Sequence, residues 1–563
     1  MIFDTKYPGT WPNESWWSVT INVKSGQCVA THSFSERFLA DKVFLDNENE
    51  VIILDGIVLN KKEVLQRFAI KNLAEFCRRL YTETSLAKEL IGPFSIFIYN
   101  KRNCTGWAFS NQTGDATVFF SDSNSDKIVL SNSFFRVNET ALRTLDSIAC
   151  HQLLTYGFLI DDRTINAHIK RLRAGKMLAI TKDGVCVKTY HRFKYHIPID
   201  ITLNEAIEML DVKFRKAVNR CFDKDLEYGY KHHLVDISAG LDSRMVNWVA
   251  RDLGYKDFIN ISYSQSGSDE SKFSALLADK LKNVFYQRYL DDASFLYDVE
   301  EMVYAEYGMA YYCGITGGFQ FLNLIDFAGI GLEHTGQIGD VVIGSFVREQ
   351  SEQVNIDNKR TSFALSLRND LFNDVVIECD CQEEFLMYSR AFQGALSTHY
   401  MRSHFTYAVS PFLDVELMEF CASLPVALRS CHKLYWAWID KKYPEAGRIP
   451  SSRVRMVNLS LSERLKMQRG RLCGRMQRDF QKLKHRVGLA DNAATSNNMN
   501  PHDYWYQTNK ELRLFISNYI NNHIDLLDND KQLQADVVKL SSSPRCMDKL
   551  MAASLLATVK VFM

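Results

Sequence analysis

HHLVDISAGLDSRMVNWVARDLG, residues 232–254, is the stretch of sequence that decides the fold. An apolar strand ends at Ser238, and a short turn of small residues follows it. A helix is predicted to begin near Ser243 and to stop at Gly254, because glycine commonly terminates helices. The order strand, turn, helix leaves free N–H groups at the helix N-terminus, where they can bind phosphate oxygens. The segment therefore predicts an anion site at one edge of a sheet.

The turn itself supplies the candidate ligands. The six residues predicted to hold the phosphates are Ser238, Ala239, Gly240, Leu241, Asp242 and Ser243. The serine hydroxyls can donate hydrogen bonds to phosphate. The carboxylate of Asp242 would repel phosphate, so we expect it to hold Mg²⁺. A plain strand–turn–helix corner with a serine cap is the alternative that a short glycine-serine turn leaves open.

The spacing S-x-G-x-D-S over 238–243 resembles the S-G-G-x-D-S signature of PP-loop enzymes. It differs from the G-x-x-x-x-G-K-S/T loop of P-loop NTPases. PP-loop enzymes cleave ATP between its α and β phosphates, release pyrophosphate and adenylate a carboxylate. The resemblance implies ATP as a co-substrate and Mg²⁺ as its partner.

Further segments, in the same order along the chain, resemble the asparagine synthetase family. They are INISY (259–263), TGQIGD (335–340) and SPFLD (410–414). The resemblance implies that Ile261 lies in the strand that cradles adenine, and that Thr335 and Gly336 lie beside the nucleotide. It also implies that Asp340 is a second ligand of Mg²⁺.

Lys433 follows the SPFLD segment at the place where the family has a lysine that contacts phosphate. A fixed cation suits a transition state on which negative charge builds up. The resemblance therefore implies a catalytic role for Lys433. A lysine met without this context is more often a solvated surface residue.

The first third of the chain reads as short strands between turns. VIILDGIVLN (51–60) predicts a strand, a turn at Asp55-Gly56 and a second short apolar run, and two hairpins are predicted over 116–133 and 176–193. After a proline-containing segment near 198, strands alternate with helices, which predicts a parallel sheet with crossover helices. Thr202 and Glu205 predict a capping box at the first helix of this second part.

These patterns and the resemblance together predict two domains. Residues 1–197 are interpreted as an α+β sandwich similar to N-terminal nucleophile hydrolases, the glutaminase domain of the family. Residues 198–563 are interpreted as an α/β PP-loop synthetase domain with a parallel sheet and a helical C-terminal extension. GPFSIFIYNKR and the segment 169–175 resemble glutaminase-domain motifs loosely.

Several family positions are changed. The nucleophilic cysteine exposed by removal of Met1 is replaced by Ile2, and the oxyanion-hole asparagine by Asp55. Ile57 replaces a family glutamate, and Gln337 replaces the glutamate of S-G-E-G. Tyr407, which stands in place of one of two charged residues, is interpreted as a packed aromatic more readily than as a catalytic tyrosine. The glutaminase is therefore expected to be inactive.

The amino-acid composition limits the binding partners that are expected. Lys and Arg total 67, as do Asp and Glu, so no net attraction to nucleic acid or anionic lipid is expected. No stretch reaches the length of a membrane span, and the apolar residues 550–563 are interpreted as a buried helix. The N-terminal residues show no signal-peptide pattern, and the 13 cysteines suit a reducing cytoplasm.

Two remaining segments receive structural interpretations. Cys379 and Cys381 form the only close cysteine pair, and nothing nearby completes the usual spacing of zinc ligands. The basic segment 464–486 is interpreted as a solvated helix, with binding of a charged carrier, peptide or partner as the alternative.

The preferred hypothesis is an ATP- and Mg²⁺-dependent ligase that forms an acyl-adenylate and transfers the acyl group to an amine other than glutamine-derived ammonia. β-Lactam synthetase and the macrolactam-forming enzymes of lasso peptide maturation share this combination of features. Small-molecule or peptide acids and amines are the expected partners, and self-association is left open. The alternatives are an asparagine synthetase-like enzyme that uses free ammonia, and a non-catalytic relative that binds nucleotide or a partner protein.

Overall fold

The computed structural model describes residues 11–124, 127–195, 197–312, 318–347, 364, 367, 377, 379–450 and 497–563. The predictions made for Ile2 and for the basic segment 464–486 lie outside these residues.

The described residues form strands and helices in the following order. The strands are β1 (Trp16–Asn22), β2 (Cys28–Ser33), β3 (Val43–Asp46), β4 (Glu50–Gly56), β5 (Phe94–Asn100), β6 (Thr105–Ser110), β7 (Phe119–Asn124), β8 (Lys127–Ser131), β9 (Lys170–Arg171), β10 (Lys176–Thr181), β11 (Gly184–Thr189), β12 (His232–Asp236), β13 (Phe258–Ser264), β14 (Val284–Tyr289), β15 (Ile330–His334) and β16 (Ala408–Val409). The helices are α1 (Lys61–Arg67), α2 (Leu73–Thr82), α3 (Phe134–Asn138), α4 (Ser147–Tyr156), α5 (Leu203–Glu227), α6 (Asp242–Asp252), α7 (Asp269–Leu281), α8 (Val299–Ala305), α9 (Gly318–Leu322), α10 (Gly339–Ile343), α11 (Gln382–Leu386), α12 (Thr398–Arg402), α13 (Val415–Ala422), α14 (Val426–Arg429), α15 (Lys433–Lys442), α16 (Pro444–Arg448), α17 (His502–Thr508), α18 (Lys510–His523), α19 (Lys531–Ser541) and α20 (Cys546–Phe562).

The strands before residue 198 form two antiparallel sheets. One has the order β2-β1-β8-β7-β9, and the other has the order β11-β10-β6-β5-β4-β3. The hairpins predicted over 116–133 and 176–193 are confirmed, since β7 pairs with β8 and β10 pairs with β11. Antiparallel sheets in the first part and a parallel sheet in the second give the chain its α+β character.

Alternation along β4 explains how the two antiparallel sheets pack. Val51 and Ile53 join a core that also contains Trp17 of β1, whereas Ile52 and Leu54 face the other way, toward α1 and α2. Successive side chains of a strand point to opposite faces, so one strand supplies both cores. The result is a layered arrangement in which helices cover the outer face of one sheet and the two sheets face each other.

The second apolar run of VIILDGIVLN does not form a strand. Residues 57–60 leave the sheet after Gly56, whose φ of 122° turns the chain away. The backbone N–H of Ile57 donates to the carbonyl of Pro93, and that of Leu59 donates to the carbonyl of Ile91. The run is apolar because it is buried beneath a loop, which a strand pattern cannot distinguish from burial within a sheet.

The second part of the chain contains a parallel sheet with the order β14-β13-β12-β15-β16. Its pairings are all parallel, as the alternation of strands and helices predicted. The predicted capping box at Thr202 and Glu205 is present at the start of α5. Apolar faces of α5 and α6, including Phe214 and Val246, pack with Val235 of β12 in one core.

The predicted buried C-terminal helix is confirmed as α20, in which Leu555 and Leu556 are fully buried. α20 packs against α8, α18 and α19. Among helices of the described ranges, none combines the length and apolar character needed to cross a membrane.

The two parts of the chain share their cores. Phe119 and Phe134 of the first part belong to the same buried cluster as Leu555. A buried ion pair also joins them, in which the Lys224 ammonium contacts Asp41 at 3.0 Å and both side chains are 0% exposed. Burial acts to raise the pKa of Asp41, but Lys224 and Lys61 outweigh it, so this pKa is lowered. The carboxylate therefore stays ionised and paired.

Candidate active site

The order of the parallel sheet reverses at β12. This strand has β13 on one side and β15 on the other, so successive connections leave it in opposite directions. In open α/β sheets the crevice at such a reversal, beyond the carboxyl ends of the strands, is where ligands bind. Loop 238–243 follows β12 and loop 335–340 follows β15. The structure therefore brings the two predicted nucleotide segments together at this crevice.

Loop 238–243 is held by its own serines. The hydroxyls of Ser238 and Ser243 lie 2.7 Å apart, and the backbone N–H of Ser238 donates to the Ser243 hydroxyl at 2.9 Å. The N–H of Gly240 donates to the Ser238 hydroxyl at 3.2 Å. No side chain of the described residues caps the N-terminus of α6. The dipole of α6 therefore points its positive end at the crevice.

Loop 335–340 packs directly on the start of α6. A Cβ added to Gly336 would lie 2.3 Å from the nitrogen of Ser243, and one added to Gly339 would lie 2.9 Å from Cγ of Asp242. Only glycine permits this approach, because a methyl group would overlap the neighbouring atoms. Asp340 follows at once, partly exposed, in the first turn of α10. The fold thus places Asp242 and Asp340 on adjoining backbone segments.

α15 contributes a residue that the sequence did not single out. The Tyr435 hydroxyl donates to Oδ1 of Asp242 at 2.8 Å. Lys433 is the exposed first residue of this helix, two residues before Tyr435. Cys431 and His432, just before it, both have φ near 55–58°. Two successive left-handed residues without glycine are strained, and such strain is common at functional sites.

Glu270 also meets the loop. Its carboxylate accepts a hydrogen bond from the backbone N–H of Ala239 at 2.9 Å. Burial raises the pKa of Glu270, against the opposing effect of this hydrogen bond. An anionic ligand that binds the loop would therefore meet the Glu270 carboxylate, which already accepts one of the loop's N–H groups.

Replacing Glu270 with glutamine is expected to tighten binding of Mg–ATP by roughly fivefold, since removing a nearby like charge is worth about 1 kcal/mol at this partial burial. Titration calorimetry at two salt concentrations measures the change. The matched control is Asp269→Asn, which removes the exposed neighbouring charge on the same helix turn. Weaker binding in the glutamine variant would show instead that Glu270 helps to hold the metal–nucleotide complex.

Thr335 and Ile261 are placed differently from the loop residues. Thr335 is fully buried, and its N–H donates to the carbonyl of Val409 at 2.7 Å. Ile261 lies inside β13, its side chain in the core and its carbonyl accepting the N–H of Ile237 at 3.0 Å. Thr335 therefore fixes the base of loop 335–340. Ile261 lies on the strand next to β12, which leads into loop 238–243.

Gln337, in loop 335–340, makes hydrogen bonds that hold the loop in place. Its side-chain amide donates to the hydroxyl of Thr398 on α12 at 2.8 Å. Its backbone carbonyl accepts from the Ser410 hydroxyl at 3.1 Å. These bonds tie loop 335–340 to two other segments that border the crevice.

A buried charge cluster underlies the carboxyl ends of β12 and β15. Arg402 of α12 pairs with Glu333 and contacts Asp236 at 3.3 Å, and it donates to the Tyr263 hydroxyl at 3.0 Å. Burial raises the pKa of Glu333 to about 8, with Arg402 opposing and Asp236 adding to the shift. Sequence reasoning missed this cluster, because no motif surrounds Arg402.

A second buried cluster fixes the two strands to α5. Asp225 accepts hydrogen bonds from His233 at 2.6 Å and from His334 at 2.7 Å through the same oxygen. Its other oxygen accepts the N–H of Leu332 at 2.7 Å. Burial acts to raise the pKa of Asp225, but the histidines outweigh it and the pKa is lowered. The register of β12 and β15, and hence the spacing of their loops, is set here.

The cysteine pair has a local structural use. The sulfur of Cys381 accepts the N–H of Glu384 and thereby caps α11. Burial raises the pKa of both Cys379 and Cys381 to about 11.

Asp55, near the end of β4, is a buried and hydrogen-bonded carboxylate. Asp55 accepts from Ser15 at 2.8 Å and from Asn132 at 2.7 Å, and the Lys42 ammonium lies 3.9 Å away. Tyr407, as expected, is a buried aromatic, and its hydroxyl reaches Asp55 at 3.4 Å. Ile57 is fully buried in the core.

No family model matches the chain. Among curated proteins, it is similar to the glutamine-hydrolysing asparagine synthetase 1 of Bacillus subtilis (strain 168), with 22% identity over 240 residues. The match covers 40% of this chain and 36% of that protein, so it spans about a third of the relative's length.

Two solved structures are similar over about half of the chain. An allosteric regulatory enzyme of purine biosynthesis shares 9% identity at a TM-score of 0.22, over 49% of this chain and 74% of its own. Glutamine phosphoribosylpyrophosphate amidotransferase from B. subtilis, complexed with ADP and GMP, shares 10% identity at a TM-score of 0.23, over 50% and 86%. Similarity this low does not assign a fold.

Proposed function

We propose that this protein is an ATP-dependent carbon–nitrogen ligase that adenylates a carboxylic acid and transfers the acyl group to an amine. One observation carries the proposal. A serine- and glycine-containing loop and a second loop bearing an aspartate meet at the reversal of a parallel sheet, with Asp242 packed against Gly339 beside Asp340. Distant similarity to an asparagine synthetase supports the same reaction class.

In this proposal, residues 198–563 form a PP-loop synthetase domain and residues 1–197 an inactive glutaminase-like domain. The N–H groups of loop 238–243 hold the pyrophosphate portion of ATP. Asp242 and Asp340 would hold Mg²⁺, because carboxylate oxygens are its preferred protein ligands and both residues are partly exposed at the crevice. When bound, Mg²⁺ would neutralise charge on the triphosphate.

The proposed chemistry proceeds in two balanced steps. A carboxylate oxygen bonds to the α-phosphorus of ATP while the bond to the bridging α–β oxygen breaks and pyrophosphate leaves. The amine nitrogen then bonds to the acyl carbon, the bond to AMP breaks, and the amine loses a proton. Lys433 would stabilise the negative charge that develops on the α-phosphate in both steps.

Exchange of labelled pyrophosphate into ATP, dependent on a carboxylic acid and independent of amine, tests the adenylation step. A panel of small acids and carboxyl-bearing peptides supplies the candidates. Exchange above the level of a protein-free control supports the ligase. Binding of Mg–ATP without exchange over the whole panel would favour the non-catalytic alternative.

Incubation with glutamine is expected to give no glutamate, with or without ATP. Asp55 stands where the family places the oxyanion-hole asparagine, and a carboxylate there repels a developing oxyanion. Restoring that single residue with Asp55→Asn is also expected to give no hydrolysis, because the resemblance finds the nucleophile missing as well. Glutamate measured by chromatography above a protein-free control would show that the protein hydrolyses glutamine.

A further inference from the structure

A cavity of about 120 Å³ lies where the two parts of the chain meet, apart from the nucleotide crevice. Its walls come from β1, β4, the segment after β8, α8, and the chain from α12 to β16. Aromatic and acidic side chains line the cavity. We propose that this cavity binds a small organic cation, an alkylammonium, which loses one proton to solvent and then, as the neutral amine, receives the acyl group.

Aromatic rings form one wall of the cavity. Phe135 and Tyr304 stack with centroids 4.1 Å apart, and Tyr307 lies 5.2 Å from Phe135. Trp11 lies further along the wall, with its centroid 5.9 Å from that of Tyr304. The face of an aromatic ring carries negative potential and attracts ammonium groups. Several rings around one small space are the usual arrangement for recognising an organic cation.

The charges of the cavity have one sign. Three carboxylates line it, those of Glu14, Asp55 and Asp115, and the lining residues that the structure describes include no lysine or arginine. Lys42 lies behind Asp55 and offsets part of its charge at 3.9 Å. Burial acts to raise the pKa of Asp115, but the hydrogen bonds and charge around it outweigh burial and the pKa is lowered. A cation gains from this field, and an anion is repelled.

One lining residue, His399, has a ring nitrogen without a partner in the described part of the chain. Nδ1 of His399 bonds to Asp115 at 2.9 Å, whereas its Nε2 is buried without a hydrogen-bond partner among the described residues. A buried polar atom left unpaired is unfavourable, and a ligand that bonds to it removes that cost.

The size of the cavity limits the ligand. A cavity of roughly 150 Å³ accommodates a molecule the size of benzene, so about six non-hydrogen atoms fit in this space. A primary amine with a short aliphatic chain satisfies both the size and the charge.

The cavity is joined to the nucleotide crevice by two elements. Tyr407 and Ala408 line the cavity, and the same segment continues to Ser410, which bonds to the carbonyl of Gln337. On α12, His399 lines the cavity and the adjacent Thr398 accepts from the Gln337 amide. At about 3.3 Å per extended residue, roughly 10 Å separates the two sites along this segment. The role as acyl acceptor rests on the proposed ligase function, whereas cation binding does not.

Binding of n-butylammonium to the full-length protein without nucleotide tests the inference. n-Butanol and butyrate serve as the neutral and anionic probes of matched size. Tryptophan fluorescence reports on the site because Trp11 and Trp16 line it, and calorimetry gives the affinity. We expect saturable binding of the ammonium at least about tenfold tighter than that of the alcohol. Equal affinities, or no saturable binding of the ammonium, overturn the proposal.

Two variants locate the binding. Glu14→Gln removes an exposed carboxylate from the rim, and Tyr304→Leu removes one aromatic face. Each is expected to weaken ammonium binding roughly three- to tenfold. Glu48→Gln and Tyr286→Leu are the matched exposed controls outside the cavity and should leave it unchanged. Unchanged affinity in both cavity variants would place the cation elsewhere.

The two hypotheses fail separately. Pyrophosphate exchange is measured without amine, so its absence counts against the ligase and says nothing against cation binding. Ammonium binding is measured without ATP, so its absence counts against this inference alone.

Discussion

Asp242→Asn is expected to weaken Mg–ATP binding by roughly 30- to 150-fold, which corresponds to the loss of about 2–3 kcal/mol from one charged interaction. The asparagine keeps the size of the side chain and can still accept from the Tyr435 hydroxyl, so the fold should be retained. The lost charge is the one that would hold Mg²⁺ against the triphosphate. Asp340→Asn, on the adjoining loop, is expected to have an effect of similar size.

Calorimetry with Mg–ATP, and with ATP in the presence of a chelator, measures these changes. The mutants should differ from the wild type much less once the metal is removed. Asp252→Asn, at the other end of α6, is the matched control, since this half-exposed aspartate pairs with Arg215 away from the loop. Wild-type affinity in both loop variants would remove the two aspartates from the metal site.

Lys433→Met is expected to lower the rate of pyrophosphate exchange on the order of a hundredfold or more, with nucleotide affinity changed far less. Negative charge concentrates on the α-phosphate in the transition state, so a cation that acts there contributes to rate more than to ground-state binding. Arginine at this position is expected to rescue poorly, because a planar guanidinium cannot place one compact charge at the same point.

Lys441→Met is the control for the lysine variant. Lys441 lies in the last turn of the same helix, pairs with Glu208 at 3.0 Å and has a comparably exposed side chain. Its replacement should leave exchange within a factor of about two, as expected for surface substitutions. Near-normal exchange in the Lys433 variant would leave adenylation to the loop and the metal alone.

Much of this site could be predicted from the sequence because the residues at its centre are close together along the chain. The alternation of strands and helices that predicted a parallel sheet is present as β12, α6, β13 and α7. The helix after the loop begins at Asp242, within one residue of the expected start. Strand periodicity, turn residues and caps act over a few residues, so they can be read without knowing the tertiary structure.

The missed residues come from distant parts of the chain. Tyr435 reaches Asp242 across 193 positions, and Arg402 reaches Glu333 across 69. Neither stands in a motif, and a tyrosine on an apolar helix face reads as core. The apolar run at 57–60 is a different case, since the residues are buried without belonging to a strand, and other segments of the chain supply that burial. Tertiary packing decides such cases, and local sequence does not encode it.

The shared cores explain why the part of the chain before residue 198, for which no catalytic role is expected, is retained. Phe119 and Phe134 belong to a cluster that also contains Leu555, near the opposite end of the polypeptide. Gene truncation or fission before residue 198 would expose these apolar surfaces, at about 1.5–3 kcal/mol for each large side chain, against a total stability of about 5–15 kcal/mol. The first part can therefore change its functional residues while its packing against the rest of the chain is conserved.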